Sequence, residues 1–211
     1  MSKQLRTRTG VRGRSHRRRP RQRRAHETVE AILDAVVRVL KREGFAAVTT
    51  NRVAEVAGVS IGSVYQYFPD KQAIFVALHQ RHIDQIDRMV ETKLVEHAAS
   101  PLDDLMRAMI EGMIDAHSAD PELYELLATE VPHRADGTRD FAVRLRGAFR
   151  LALAAREPEL KKGHDLDKQA FVVTNMVESL SHAALFRRPL RLSLAAAKAE
   201  VARAVLAYLH S

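Results

Sequence analysis

The segment Ile61 to Tyr67, IGSVYQY, concentrates flat and hydrogen-bonding side chains on a stretch only two helical turns long. Gln66 carries the paired donor and acceptor that match adenine N6 and N7. Ser63 can donate or accept at a base edge or a phosphate, and Ile61 offers methyl groups to the C5-methyl of thymine. Gly62 permits a close backbone approach. Tyr65 and Tyr67 each place a hydroxyl on a rigid ring that can reach a phosphate. Thr50 and Asn51, one segment earlier, can bond phosphate oxygens beside unpaired backbone N–H groups, and Lys71 adds a positive charge. Together these groups have the chemistry for reading a DNA duplex.

Such groups need a rigid support. The pattern around them predicts two short helices joined by the turn GVS. Thr49 is the expected N-cap of the first, with Val48 and Val53 at hydrophobic-staple positions, and Ser60 that of the second. Pro69 forces the second helix to end, because the residue before a proline is pushed out of the α region. Val53, Val56, Ala57, Val59, Val64 and Phe68 are the expected inward set. A preceding helix from about His26, with Val29, Ile32, Leu33, Val36, Val37 and Leu40 at helical spacing, ends at Gly44. Two short helices around a glycine-containing turn form a helix-turn-helix, whose second helix enters the major groove.

Beyond Asp70 the chain reads as further helices. The fourth runs for about 25 residues through Ile74, Phe75, Leu78, His82, Ile83, Ile86, Met89, Val90 and Leu94. Ser100-Pro101 and Asp120-Pro121 open the next two, with each proline expected at the first helical position. HRADGTRD is read as a loop before a helix around Phe141 to Leu153, and KKGHD as a second loop. Asp165 and Ser193 are the expected caps of the last two helices. No segment alternates with a two-residue period, so the expectation is an all-α protein of about nine helices.

The string TTNRVAEVAGVSIGSVYQYFPDKQAIFVAL, preceded by a helix ending in REGF, resembles the DNA-binding domain of TetR-family transcriptional regulators over about residues 27 to 78. The elements TT, VA, AGVS, SVYQYF and the lysine at 71 fall at that family's spacings. The resemblance implies a helix-turn-helix domain on an all-helical regulatory domain, in a homodimer that binds a palindromic operator and usually represses. It carries the DNA contacts over to Thr50, Asn51, Ile61, Gly62, Ser63, Tyr65, Gln66, Tyr67 and Lys71. It also implies dimerisation through the last two helices, about 165–187 and 193–209, and a small-molecule inducer held among the helices after the fourth. Liners by position are Phe75, Met106, Met109, Met113, Leu127, Phe149 and Met176, with Asn175, Glu178 and His182 as polar groups. Ordinary core packing explains the apolar members equally well, and Glu178 and His182, four residues apart, can pair with each other or across the dimer.

The net charge of +8 is unevenly spread. Residues 1–24 hold 11 of the 34 Lys and Arg and none of the 26 Asp and Glu, so residues 25–211 carry a net −3. RGRSHRRRPRQRR cannot bury apolar surface and repels itself, so residues 1–24 are expected to be a disordered arginine-rich tail, either a plain solvated extension or an arm for phosphates or a minor groove. This tail departs from the minimal family pattern. Residues 25–72 are then the expected helix-turn-helix domain and 73–211 the regulatory and dimerisation domain.

The chain has no cysteine, and no apolar run reaches the roughly 18 to 20 residues that span a bilayer. A cytoplasmic protein without membrane partners is the expectation. His79 and His82 share a helical face, but no Cys, Asp or Glu completes a metal set at the right spacing, so neither metal nor cofactor is expected. No nucleophile elbow, HExxH, P-loop or dinucleotide fingerprint appears. The competing readings are a ligand-independent regulator, an activator, a general nucleic-acid binder working through the tail and, third, an enzyme.

Overall fold

The computed structural model describes residues 18–131, 136–160, 165–189 and 191–211. The tail as far as residue 17 and the inner parts of the two expected loops, 132–135 and 161–164, lie outside the described residues. Among those described there are nine α-helices and no strand. The chain divides into two compact units, Met1–Pro69 and Asp70–Ser211.

The first unit contains α1 (Arg18–Glu43), a 3-10 turn (Phe45–Ala47), α2 (Thr50–Ala57) and α3 (Ile61–Tyr67). α1 starts eight residues before the expected His26, so the basic segment from Arg18 to Arg24 is helical rather than disordered. Arginine is a good helix former, and Arg23 pairs with Glu27 one turn on at 3.2 Å. The apolar periodicity that marks α1 in the sequence begins only where the helix has a core to face. Gly44 (φ 80°) and Gly58 (φ 70°) hold the left-handed conformations that end α1 and α2. Val53, Ala54, Val64 and Phe68 are buried, while Val56, Ala57 and Val59 are half-buried.

The second unit contains α4 (Lys71–Glu96), α5 (Leu102–Ser118), α6 (Pro121–Glu130), α7 (Asp136–Ala154), α8 (Leu166–Phe186) and α9 (Leu194–His210). α5 is the central helix, packed against α4, α6, α8 and α9. Its Leu102, Leu105, Met106, Met109, Ile110, Met113 and Ile114 are all buried. Gly112 lets α4 come close, since a Cβ there would lie 2.6 Å from the Met89 Sδ.

Two helix starts differ from expectation. α7 begins at Asp136, inside the segment read as a loop, because a polar first turn carries no periodic signal. Pro101 is the N-cap of α5 and not its first residue, and it has no side-chain cap to offer. The capping acceptor comes instead from Glu159, whose Oε2 accepts from the Leu102 N–H at 2.7 Å. Arg156 secures the same corner. It is only 7% exposed and donates to the carbonyls of His97 (2.6 Å), Ser100 (3.0 Å), Ala98 (3.2 Å) and Ala152 (3.3 Å).

Candidate nucleic-acid interface and ligand site

In the first unit, α2 and α3 are positioned by side-chain caps. Thr49 accepts from the Arg52 N–H at 3.2 Å, and Ser60 accepts from the Ser63 N–H at 3.0 Å. Arg38 donates to the Val56 carbonyl at 3.1 Å, which ties α1 to the end of α2. Arg52 is held by Glu43 (2.6 Å) and Glu55 (2.6 Å), and the guanidinium keeps the Glu43 carboxyl below its ordinary pKa. Arg52 is therefore committed to bracing the fold.

With Val64 buried beneath it, α3 turns Ile61, Gly62, Tyr65 and Gln66 outward, while Ser63 and Tyr67 are half-buried. Ile61 and Tyr65 are 38% and 52% exposed and are therefore available to a partner surface. The Thr50 and Tyr65 hydroxyls lie 3.3 Å apart, so the start of α2 and the outer face of α3 form one surface, with Asn51 exposed beside Thr50. The Ser63 hydroxyl is 2.8 Å from the Ser60 hydroxyl and thus partly engaged within the turn. Lys71 belongs to the second unit, where its ammonium lies 5.1 Å from the centre of the Phe75 ring.

In the second unit, Met106, Met109, Met113 and Phe149 belong to one continuous core with Ile83, Leu145, Val173 and Val205, and Met176 packs against its edge. Phe75 and Leu127 are buried apart from that core. Asn175 is exposed and donates to the Phe171 carbonyl at 2.7 Å. Of the residues expected to line a pocket, Glu178 and His182 meet a group that the sequence does not reveal. Tyr124 of α6 lies at the centre of a ring cluster, 4.0 Å from His117 of α5, 5.7 Å from His82 of α4, and 6.0 and 5.5 Å from His182 and Phe186 of α8. Periodicity assigns each of these residues to its own helix but cannot show that four helices bring them together.

The electrostatics of this cluster follow from burial. Loss of water pushes the imidazole of His82 down to about 4, with His79 adding to the effect. It pushes that of His117 down to about 3, with His82 adding and the Met113 carbonyl opposing. Burial, then Glu178, raises the Tyr124 hydroxyl to about 12. Burial likewise raises the Glu178 carboxyl, against the pull of Arg146. Nε2 of His82 and Nδ1 of His117 are buried and have no protein hydrogen-bond partner. Among the described residues no group of three His, Asp or Glu is arranged to hold a metal, and no helix is long and apolar enough to cross a membrane.

Comparison with known proteins adds to this geometry. The family description "Bacterial regulatory proteins, tetR family" matches residues 32–78, and "Tetracyclin repressor-like, C-terminal domain" matches residues 101–209. The chain is 29% identical over 110 residues to the HTH-type transcriptional repressor NicS of Pseudomonas putida, covering 52% of this chain and 51% of NicS. The match thus spans about half the length of that relative. The fold is shared with the fatty acid degradation regulator FadR of Bacillus halodurans (TM-score 0.66, 16% identity, 87% and 97% of the two chains). It is also shared with SmeT of Stenotrophomonas maltophilia in complex with triclosan (TM-score 0.66, 21% identity, 87% and 92% of the two chains).

Proposed function

Because the chain belongs to the tetR family of bacterial regulatory proteins, DNA-binding regulators of transcription and not enzymes, we propose that it is a dimeric repressor that leaves a palindromic operator when a small molecule binds its second unit. The observation that carries this reading is the outer face of α3, with Ile61, Tyr65 and Gln66 exposed and braced by Thr50 on α2. In this reading Gln66, Ile61 and Ser63 contact base edges, and Gly62 admits the backbone to the groove. Tyr65, Tyr67, Thr50, Asn51 and Lys71 contact phosphates. The first unit reads DNA, and α8 and α9 of the second pair with their mates across a two-fold axis.

The inducer site is assigned to the ring cluster around Tyr124, with Glu178 and His182 at its edge. SmeT, which shares this fold, has been solved in complex with triclosan, which supports a small-molecule ligand for this chain. Within the second unit the cluster is linked to the start of α4. α6, which carries Tyr124, is tied at its far end to the first turn of α4, where Gln72 donates to the Glu130 carbonyl at 2.6 Å. A ligand that moves α6 therefore acts on the helix that follows the reading head. It shifts the equilibrium only by its differential affinity for the two arrangements.

The test is selection from a random duplex library at about 150 mM salt, near the physiological ionic strength that screens loose contacts. A recovered palindrome with half-sites about one helical turn apart, near 34 Å, is the expected result. Recovery without sequence preference, with binding that collapses as salt rises, would replace this reading with a general nucleic-acid binder driven by the tail.

A further inference from the structure

The ring cluster has a composition that restricts its ligand. His117 is 6% exposed, yet its Nδ1 has no protein partner, and the buried Nε2 of the half-buried His82 on the neighbouring helix lacks one too. The two rings stand 5.0 Å apart. Two buried ring nitrogens on neighbouring rings without protein partners are costly unless something else bonds them. Beside them Tyr124 and Phe186 lie nearly parallel, 27° apart, and His182 completes the group 5.0 Å from Phe186. Ring faces from α4, α5, α6 and α8 thus meet in one cluster, where the Tyr124 hydroxyl and the His182 ring are further polar groups beside the two imidazoles.

Taking the inducer reading above as its basis, we propose that this cluster of touching rings opens to receive an uncharged aromatic hydroxy compound, whose ring takes the place of the contacts among Tyr124, Phe186 and His182 and whose hydroxyl bonds the unpartnered nitrogens of His82 and His117. The hydroxyl is the matching group because it both donates and accepts, so it satisfies an imidazole nitrogen in either tautomer. A flat ring is the matching body because offset and tilted ring contacts exceed the gain of plain apolar burial by about 0.5–1.5 kcal/mol. Carboxylate ligands, aromatic or aliphatic, are disfavoured. Burial keeps His82 and His117 uncharged near neutrality, so neither offers a buried carboxylate a positive charge.

The experiment is calorimetric titration of the full-length protein with four probes: 2-naphthol, 2-methylnaphthalene, 2-naphthoate and decanoate. 2-Naphthol is expected to bind at least ten times more tightly than each of the others. His117→Phe keeps a ring in place and removes one of the two nitrogen partners, so it should weaken 2-naphthol several-fold and leave 2-methylnaphthalene unchanged to within about twofold. Should that variant misfold, nitrogen NMR of the wild-type histidines answers the same question, since two imidazoles with lowered pKa must shift on addition of 2-naphthol. Equal or tighter binding of either carboxylate, absence of 2-naphthol binding, or unmoved imidazole signals on binding overturns the proposal. Operator release is read separately. Selective 2-naphthol binding that leaves operator occupied upholds the ligand class and removes the inducer reading. Release by decanoate alone does the reverse.

Discussion

Gln66 is the residue on which sequence discrimination should depend most directly. It is exposed on α3, where the buried Val64 two positions earlier fixes which way the helix faces. In the proposed reading Gln66→Ala removes a bidentate contact to one base, a contact worth about 1–3 kcal/mol of discrimination. Repeating the library selection should show preference relaxed at one position per half-site with the rest of the palindrome intact; an unchanged recovered sequence would rule Gln66 out as a reader. His82 and His117 carry a second residue-level expectation. The unfolded chain takes up protons on both near 6.5, the folded chain only near 4 and 3. Their contribution to stability is therefore full above about 6.5 and is lost as pH falls below it, amounting to about 3 to 4 kcal/mol for the pair between pH 7 and 5. Chemical denaturation across that range should show the loss, and His117→Phe should reduce it by about half. A stability flat from pH 7 to 5 would mean that these imidazoles are not buried uncharged. Both residues lie on the apolar faces of their helices, so their type is readable in the sequence. Their mutual contact is not.

At the scale of the element, helix starts are legible wherever the capping group lies next to the helix it caps. Thr49, Ser60, Asp70, Asp120, Asp165 and Ser193 each accept a backbone N–H as their positions suggest. The starts of α1 and α7 are not legible, because a first turn of polar residues has no apolar stripe to count. The start of α5 is illegible for another reason: its cap is Glu159, 57 residues away. Arg156 belongs to the same corner and looks like any surface arginine in the sequence. Arg156→Ala removes the donor that ties the partly buried His97, Ala98 and Ser100 carbonyls to the segment after α7. The expected loss is about 2 kcal/mol, measured by urea unfolding, because a hydrogen bond from a charged donor is worth about 1.5–3 kcal/mol while the His97 carbonyl keeps the Ser100 N–H. Arg156→Lys should recover only part of it, since an ammonium cannot reproduce the planar fork. A change under about 1 kcal/mol would show that the corner does not depend on Arg156.

At the scale of the whole molecule, charge is separated from fold. The basic residues of the tail lie ahead of a body that is slightly acidic, so affinity for any duplex and preference for one sequence are assigned to different parts of the chain. Deleting residues 2–17 spares α1 and removes six basic side chains. It should lower affinity for operator and random DNA alike and flatten the dependence of log K on log salt by up to about five, at roughly 0.9 per phosphate contact. An unchanged salt slope would show that the tail touches no phosphate. The sequence by itself determines the helical class, the two short helices and their caps, and the set of groups on α3, because capping and apolar spacing are local and the α3 set sits on seven consecutive residues. The tertiary structure alone decides that Arg52 braces the fold, that Ser63 is half engaged by Ser60, that Arg156 and Glu159 close the α4–α5 corner, and that His82, His117, Tyr124, His182 and Phe186 meet. Those outcomes depend on which helix faces pack together, and periodicity along one helix states only that a face is apolar, never which partner it finds.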